Sequence, residues 1–312
     1  MTQFTQSQHI RSSPIQSLET DWTNAAGIRL FIKREDLLHP LYGGNKIRKL
    51  KYVVAAAKNS GKPGLLTCGG AYSNHVLATA VYGNENGLKT AAIIRGESID
   101  NLTLDVARKF GMDLIFVSRA EYQKIRAFPS HVWTTTRLPE KDWFFIPEGG
   151  HHPLAMAGVG ELVSEIAMPY DYLATPCGTG TTFAGLLQAT RGTNTKLLGF
   201  PILKNGEFII DAVKTLLGQD FQADQIDFFS SRFCFGGYAK MTHALKSFIF
   251  ELEHHSGILF DPVYNGKMLF GLRQLCLDGH FPAGACVVAI HTGGQQGWHG
   301  FKEPGTLSRE WT

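Results

Sequence analysis

The sequence predicts an α/β protein of two domains, built on largely parallel sheets flanked by helices. Three observations carry that expectation. Short apolar runs, several rich in β-branched residues, alternate with helix-like stretches. The alternation falls into two series along the chain, and glycines cluster at a few places instead of spreading evenly. Strand alternating with helix is the pattern of a parallel sheet covered by helices.

Taken in order, an apparent strand at 30–33 precedes a glycine loop, and buried strands are expected at 64–68, 91–95, 114–117, 143–147, 172–175, 197–202 and 286–291. Helix-like stretches lie at 47–59, 74–86, 101–110, 158–167, 183–191 and 264–278. The first series ends near Pro147-Glu148-Gly149-Gly150 and the second begins near Tyr172. This divides the chain into a small domain at residues 50–152 and a large, discontinuous domain at 1–49 with 153–312. No repeat of fixed period and no low-complexity tract interrupts it.

At 312 residues with 44% hydrophobic and 18% charged content, the composition is that of a globular enzyme. The net charge of +3 comes without a basic block, so no nucleic-acid partner is expected. No run approaches the roughly 18 apolar residues of a membrane span, so no membrane association is expected either. Met1 to Ser13 lack the apolar core of a signal peptide, and a cytoplasmic location follows. The five cysteines, Cys68, Cys177, Cys234, Cys276 and Cys286, are odd in number and widely spaced, which reads as reduced packing residues. Adjacent histidines at His151-His152 and His254-His255 project to different faces, so they read as surface or loop residues and no metal site is expected.

The chemistry concentrates in the glycine clusters. Gly43-Gly44-Asn45-Lys46 joins a strand to a helix, where a ligand can approach the backbone. Taken alone, Lys46 there is a surface charge, a phosphate contact or a nucleophile; the spacing is not that of a Walker loop. Cys177-Gly178-Thr179-Gly180-Thr181-Thr182 leads from a strand into a helix, and its amides and hydroxyls suit a phosphate monoester, although bare turn glycines would look the same. The dinucleotide fingerprint is missing, with no acidic residue about 20 positions on. Ser73-Asn74-His75 opens another helix and offers donors to a carboxylate or phenolate, or Ser73 is a plain N-cap. Thr292, in His291-Thr292-Gly293-Gly294, stands at the carboxyl end of the last strong strand.

Together these motifs resemble, in order and over nearly the whole chain, those of the D-cysteine desulfhydrase and 1-aminocyclopropane-1-carboxylate deaminase family of pyridoxal-phosphate enzymes. The segments are Lys33-Arg34-Glu35-Asp36, Gly43 to Leu50, Ser73-Asn74-His75, Pro147-Glu148-Gly149-Gly150, Asp261-Pro262-Val263-Tyr264-Asn265-Gly266-Lys267 and His291-Thr292-Gly293-Gly294. The resemblance implies a tryptophan-synthase-β-like architecture of fold type II, a cofactor between two domains, and a homodimer. It implies that Lys46 forms the internal imine with pyridoxal 5'-phosphate, that Asn74 bonds the phenolic oxygen, and that Ser73 receives the substrate carboxylate. Gly178, Thr179, Gly180, Thr181 and Thr182 stand where the family keeps its phosphate loop. Tyr238 and Tyr264 resemble tyrosines that flank the substrate, and Asn265 and Thr292 occupy the positions beside the pyridine nitrogen.

Those last two positions distinguish the activities within the family. Ring-opening members carry Glu and Leu there, desulfhydrase-like members Thr at both, and this chain has Asn265 and Thr292. A carboxylate would favour protonation of the ring nitrogen, and a neutral amide or hydroxyl cannot. The expected reaction is therefore β-elimination from a small amino acid, giving a 2-oxo acid and ammonia. The cyclopropane deaminase activity is the alternative, and a cofactor-binding homologue without turnover is a second, since Tyr72 also stands where Gln is usual.

Overall fold

The computed structural model describes residues 12–136, 138, 143–230 and 232–301. The chain opens with β1 (Ile15–Ser17), α1 (Asp21–Ala26) and β2 (Arg29–Lys33), followed by α2 (Asn45–Asn59). Next come β3 (Gly64–Gly70), α3 (Asn74–Glu85), β4 (Lys89–Arg95), α4 (Leu102–Lys109), β5 (Met112–Val117), α5 (Arg119–Ala127), α6 (His131–Thr136), β6 (Trp143–Ile146) and α7 (Pro153–Ser164). The remainder is β7 (Tyr172–Cys177), α8 (Thr181–Ala189), β8 (Lys196–Pro201), α9 (Phe208–Leu217), β9 (Ile226–Phe228), α10 (His243–Ser256), α11 (Asn265–Leu277) and β10 (Cys286–Ile290).

These elements form two compact units, Lys46–Gly158 and Ser12–Asn45 with the residues from Val159 onward. Both divisions fall inside helices, at the start of α2 and within α7, where composition leaves no mark. The first unit is a four-stranded parallel sheet of order β5-β4-β3-β6. Its central strands are buried on both faces. Ala91 and Ile93 of β4 join Leu66, Cys68 and Tyr122 on one side, while Ala92 and Ile94 join Val76, Ala80 and Leu104 on the other. Strands covered on both faces read as continuous apolar runs, which is why they stand out in the sequence.

The second unit is a six-stranded sheet of order β1-β2-β10-β7-β8-β9, parallel except for β1 against β2. Its core gathers Leu30, Ile32, Ala174, Leu198, Val287 and Ala289 of the sheet with residues of α10 and α11. Ala289 of β10 pairs with Ile32 of β2 on one side and Ala174 of β7 on the other. With the three strands parallel and in this register, the loops after β2, β7 and β10 leave the same edge of the sheet.

The helix expected at 158–167 runs instead over Pro153–Ser164, because a proline has the φ that a first helical turn requires and marks its start. His254 and His255 sit exposed in the last turn of α10, where a helix C-terminus accommodates them. All five cysteines are buried and unbridged. Among the described residues, no helix is long and apolar enough to cross a membrane.

Candidate active site

In the six-stranded unit, the loop after β2 lies against the loop after β10. A Cβ on Gly44 would collide with the Thr292 carbonyl, and one on Gly293 with the Gly43 carbonyl; Gly44 and Gly293 also have φ of 130° and 74°. Only glycine permits this backbone-on-backbone approach. It leads directly into Asn45, whose buried amide donates to the Thr182 hydroxyl at 2.7 Å. The first residue of α2 is thereby tied to the first turn of α8, and Lys46 is the next residue in the chain.

The turn before α8 is built for an anion. Gly180 is the N-cap with φ 81° and, being glycine, brings no side chain to cap the helix. A Cβ on Gly180 would also press on Val213 and Ile209, at 3.0 and 3.1 Å. Thr181 and Thr182 are buried, and the Thr179 and Thr181 hydroxyls lie 3.5 Å apart. Such a set of neutral donors at a helix start fits a phosphate dianion. Over its first glycine lies Tyr264, with ring carbon Cε1 3.5 Å from where a Cβ of Gly178 would sit. The Tyr238 ring stands edge-on to Tyr264, with centroids 6.3 Å apart.

Behind Tyr264, Asp261 organises the start of α11. Its carboxylate accepts from the amides of Val263, Tyr264 and Asn265 at 2.9, 2.7 and 2.9 Å. Burial pushes its pKa up, and the hydrogen bonds from Asn265 and Tyr264 counter the shift. Asn265 is fully buried. Its Nδ2 donates to Asp261 at 2.6 Å and to the Gly293 carbonyl at 2.8 Å. Its Oδ1 accepts the Thr292 amide at 3.0 Å and the Thr292 hydroxyl at 3.3 Å. A carboxamide has two donor hydrogens and two acceptor lone pairs, so this one is fully used. The neighbouring His291 meets the Gly293 amide at Nδ1, at 3.2 Å, and the Leu259 carbonyl at Nε2, at 2.8 Å, with the Asp36 carboxylate 3.6 Å from Nδ1.

The other unit carries Lys46, Ser73 and Asn74. Burial lowers the Lys46 pKa from 10.5 to about 8, and a hydrogen bond with Lys49 works weakly the other way. At pH 7.5 this leaves roughly a quarter of the amine neutral, against about one part in a thousand for an ordinary lysine. Lys49 is buried and donates to the Gly149 carbonyl at 3.1 Å. Ser73 is the N-cap of α3, its hydroxyl accepting from the Val76 amide at 3.3 Å, so capping is one of its roles. Asn74 is the first residue of that helix and His75 the second. The Thr67 hydroxyl donates to the Ile146 carbonyl at 2.8 Å, so it accepts from Nε2–H of His75 at 2.9 Å. Burial, and then the charges of Lys46 and Lys49, hold His75 well below its ordinary pKa and keep it neutral. Its buried Nδ1 makes no hydrogen bond among the described residues.

The predicted site residues thus gather in two sets, one in each unit. Gly178 to Thr182, Tyr238, Tyr264, Asn265 and Thr292 form the first, and Lys46, Ser73 and Asn74 the second. Asn45, Lys49, His75, Asp261 and His291 complete them; all five lie inside the sequence motifs, but their contacts are not readable from spacing.

Comparison with known proteins gives the family and the fold. Residues 6–293 match the model of the pyridoxal-phosphate dependent enzyme family. The bifunctional D-cysteine desulfhydrase/1-aminocyclopropane-1-carboxylate deaminase, mitochondrial, of Arabidopsis thaliana is 29% identical, over 87% of this chain and 73% of that protein. A 1-aminocyclopropane-1-carboxylate deaminase of Methylobacterium sp. (strain 4-46) is 28% identical, over 93% of this chain and 94% of its own. Among solved structures, an ACC deaminase homologue superposes with a TM-score of 0.81 at 27% identity, covering 93% of this chain and 91% of the other. A tomato threonine deaminase, at 17% identity and a TM-score of 0.67 over 91% and 84% of the two chains, shares the fold. The architecture is that of fold type II, and the chain belongs to the family of pyridoxal-phosphate dependent enzymes.

Proposed function

We propose that this enzyme eliminates a β-substituent from a small amino acid, as a D-cysteine desulfhydrase does, and releases a 2-oxo acid and ammonia. For D-cysteine, water is consumed and pyruvate, hydrogen sulfide and ammonia form. The observation that carries this reading is the neutrality of the Asn265–Thr292 pair, together with the complete use of the Asn265 amide inside the protein. With no carboxylate at either position, the ring nitrogen is not driven towards protonation. That suits loss of an α-proton and a good leaving group better than the opening of a carbon ring.

When bound, pyridoxal phosphate supplies an aldehyde for the substrate amine and a ring that takes up electrons from a bond broken at the α-carbon. Lys46 would hold the aldehyde, and its depressed pKa would suit its amine both to that bond and to taking a proton from the substrate's α-carbon. Gly178 to Thr182 would bind the phosphate and Asn74 the phenolic oxygen. Ser73 would receive the substrate carboxylate from its place at the start of α3, Tyr238 and Tyr264 would flank the substrate, and Thr292, with Asn265 bonded to it, would serve the ring nitrogen. The enzyme works as a cytoplasmic homodimer.

The cyclopropane deaminase reading has the names of the relatives in its favour. A product screen over D- and L-cysteine, serine, β-chloroalanine and 1-aminocyclopropane-1-carboxylate separates the possibilities, with Lys46→Ala as control. Pyruvate from D-cysteine or β-chloroalanine, lost in the control, is the expected result. Visible cofactor absorbance without turnover of any of them would sink the proposal.

A further inference from the structure

Lys267, the third residue of α11, is 1% exposed. Its ammonium donates to the carbonyls of Cys234 and Gly237, at 2.8 and 2.7 Å. Those carbonyls begin two successive tight turns, since the Gly237 amide donates to Cys234 at 2.9 Å and the Lys240 amide to Gly237 at 3.2 Å. In the first turn, both central residues are left-handed, Phe235 with φ 52° and Gly236 with φ 85°. In the second, Ala239 has φ 51°, and Tyr238 is the residue before it.

Two of these residues, Phe235 and Ala239, carry side chains that disfavour the left-handed region, so the double turn needs support from outside itself. Helix α11 gives it at two points one turn apart. Lys267 takes the two carbonyls, and Phe270 meets the Phe235 ring edge-on with centroids 4.9 Å apart. Tyr264 stands immediately before the same helix. One element therefore sets both tyrosines, and their edge-on arrangement follows from it.

We infer that Lys267 is the positioning residue for Tyr238, pinning a strained double turn so that this tyrosine is presented beside Tyr264 at the substrate side of the site. The inference rests on the proposed placement of Tyr238 next to the substrate. Released from Lys267, the turn relaxes its left-handed residues and Tyr238 leaves its place against Tyr264.

The test is amide hydrogen exchange on the purified full-length protein, wild type against Lys267→Met. Losing charge-assisted hydrogen bonds should speed exchange at the Gly237 and Lys240 amides on the order of tenfold or more, while β7 and β10 keep their protection. KM for the turned-over amino acid should rise with kcat changed little. Lys267→Gln, a shorter donor, serves if the methionine variant does not fold, and must also speed both amides. Adding Ala239→Gly, which removes one left-handed alanine, should restore part of the protection. Unchanged exchange at both amides in a folded variant overturns the inference. Tyr238→Phe separates it from the reading of the site: exchange at the two amides stays as in wild type while KM changes, and failure of KM to change would remove Tyr238 from the substrate side without touching the Lys267 contacts.

Discussion

The carboxamide oxygen of Asn265 accepts both the amide and the hydroxyl of Thr292, 27 positions further along the chain, at 3.0 and 3.3 Å. With its nitrogen given to Asp261 and Gly293, Asn265 joins the start of α11 to the loop after β10. That loop in turn lies against Gly43 and Gly44, two residues before Lys46. A neutral side chain thus ties together three of the motifs that the sequence sets far apart.

Asn265→Ala should destabilise the protein strongly, because it strands the Gly293 carbonyl and the amide and hydroxyl of Thr292 at once, and takes one of four donors from the buried Asp261 carboxylate. Unsatisfied buried groups cost about 1–3 kcal/mol each, so a loss of roughly 3 kcal/mol or more is expected in urea unfolding. A loss below about 1 kcal/mol would mean that these hydrogen bonds are not made.

Lys46 should capture cofactor with an unusual pH dependence. Burial depresses its pKa to about 8, and only the neutral amine attacks an aldehyde, so the rate rises with pH through about 8 and levels off above it. Stopped-flow absorbance of stripped protein mixed with pyridoxal phosphate measures this. A rate still climbing towards the ordinary lysine value of 10.5 contradicts it.

Two glycines of the site should respond differently to alanine. At Gly44, with φ 130° and the Thr292 carbonyl in the way, a Cβ has nowhere to go, and Gly44→Ala should unfold well below wild type. At Gly178 the nearest atom is Tyr264 at 3.5 Å, an ordinary contact, so Gly178→Ala should melt near wild type and bind cofactor more weakly. Thermal melts and equilibrium cofactor titration distinguish the two.

The buried thiols should be inert in the native state. Burial raises Cys68 and Cys276 to about 12, and all five cysteines are buried and unbridged. At pH 8, a chromogenic disulfide reagent should find less than one thiol per native chain within minutes, and five in denaturant without reductant. Fewer than five in denaturant would reveal a bridge.

Much of this was legible in the amino acids, and the limits are physical. The strands buried on both faces, such as β4 with Ala91 to Ile94 at zero exposure, announce themselves as apolar runs. The three-residue strands β1 and β9 do not, because what makes them strands is the neighbour they pair with. Helix α9 buries Ile209, Val213 and Leu217 at a spacing of four, a signal that reading by runs passes over. Within the site, the motifs supply the residue types, but not that Asn265 has no valence left for a ligand. Nor does any spacing tell that Lys267 reaches back to Cys234 and Gly237; that contact exists only once α11 has packed.

The central claim is elimination in preference to ring opening, and one comparison on the same holoenzyme tests it most directly. Initial rates of pyruvate formation from D-cysteine and of 2-oxobutanoate formation from 1-aminocyclopropane-1-carboxylate are measured at equal substrate concentration. If the neutral Asn265 and Thr292 stand at the ring nitrogen as proposed, the pyruvate rate should be the larger, by about tenfold for each 1.4 kcal/mol that a missing carboxylate costs ring opening. A 2-oxobutanoate rate that exceeds it would contradict the claim.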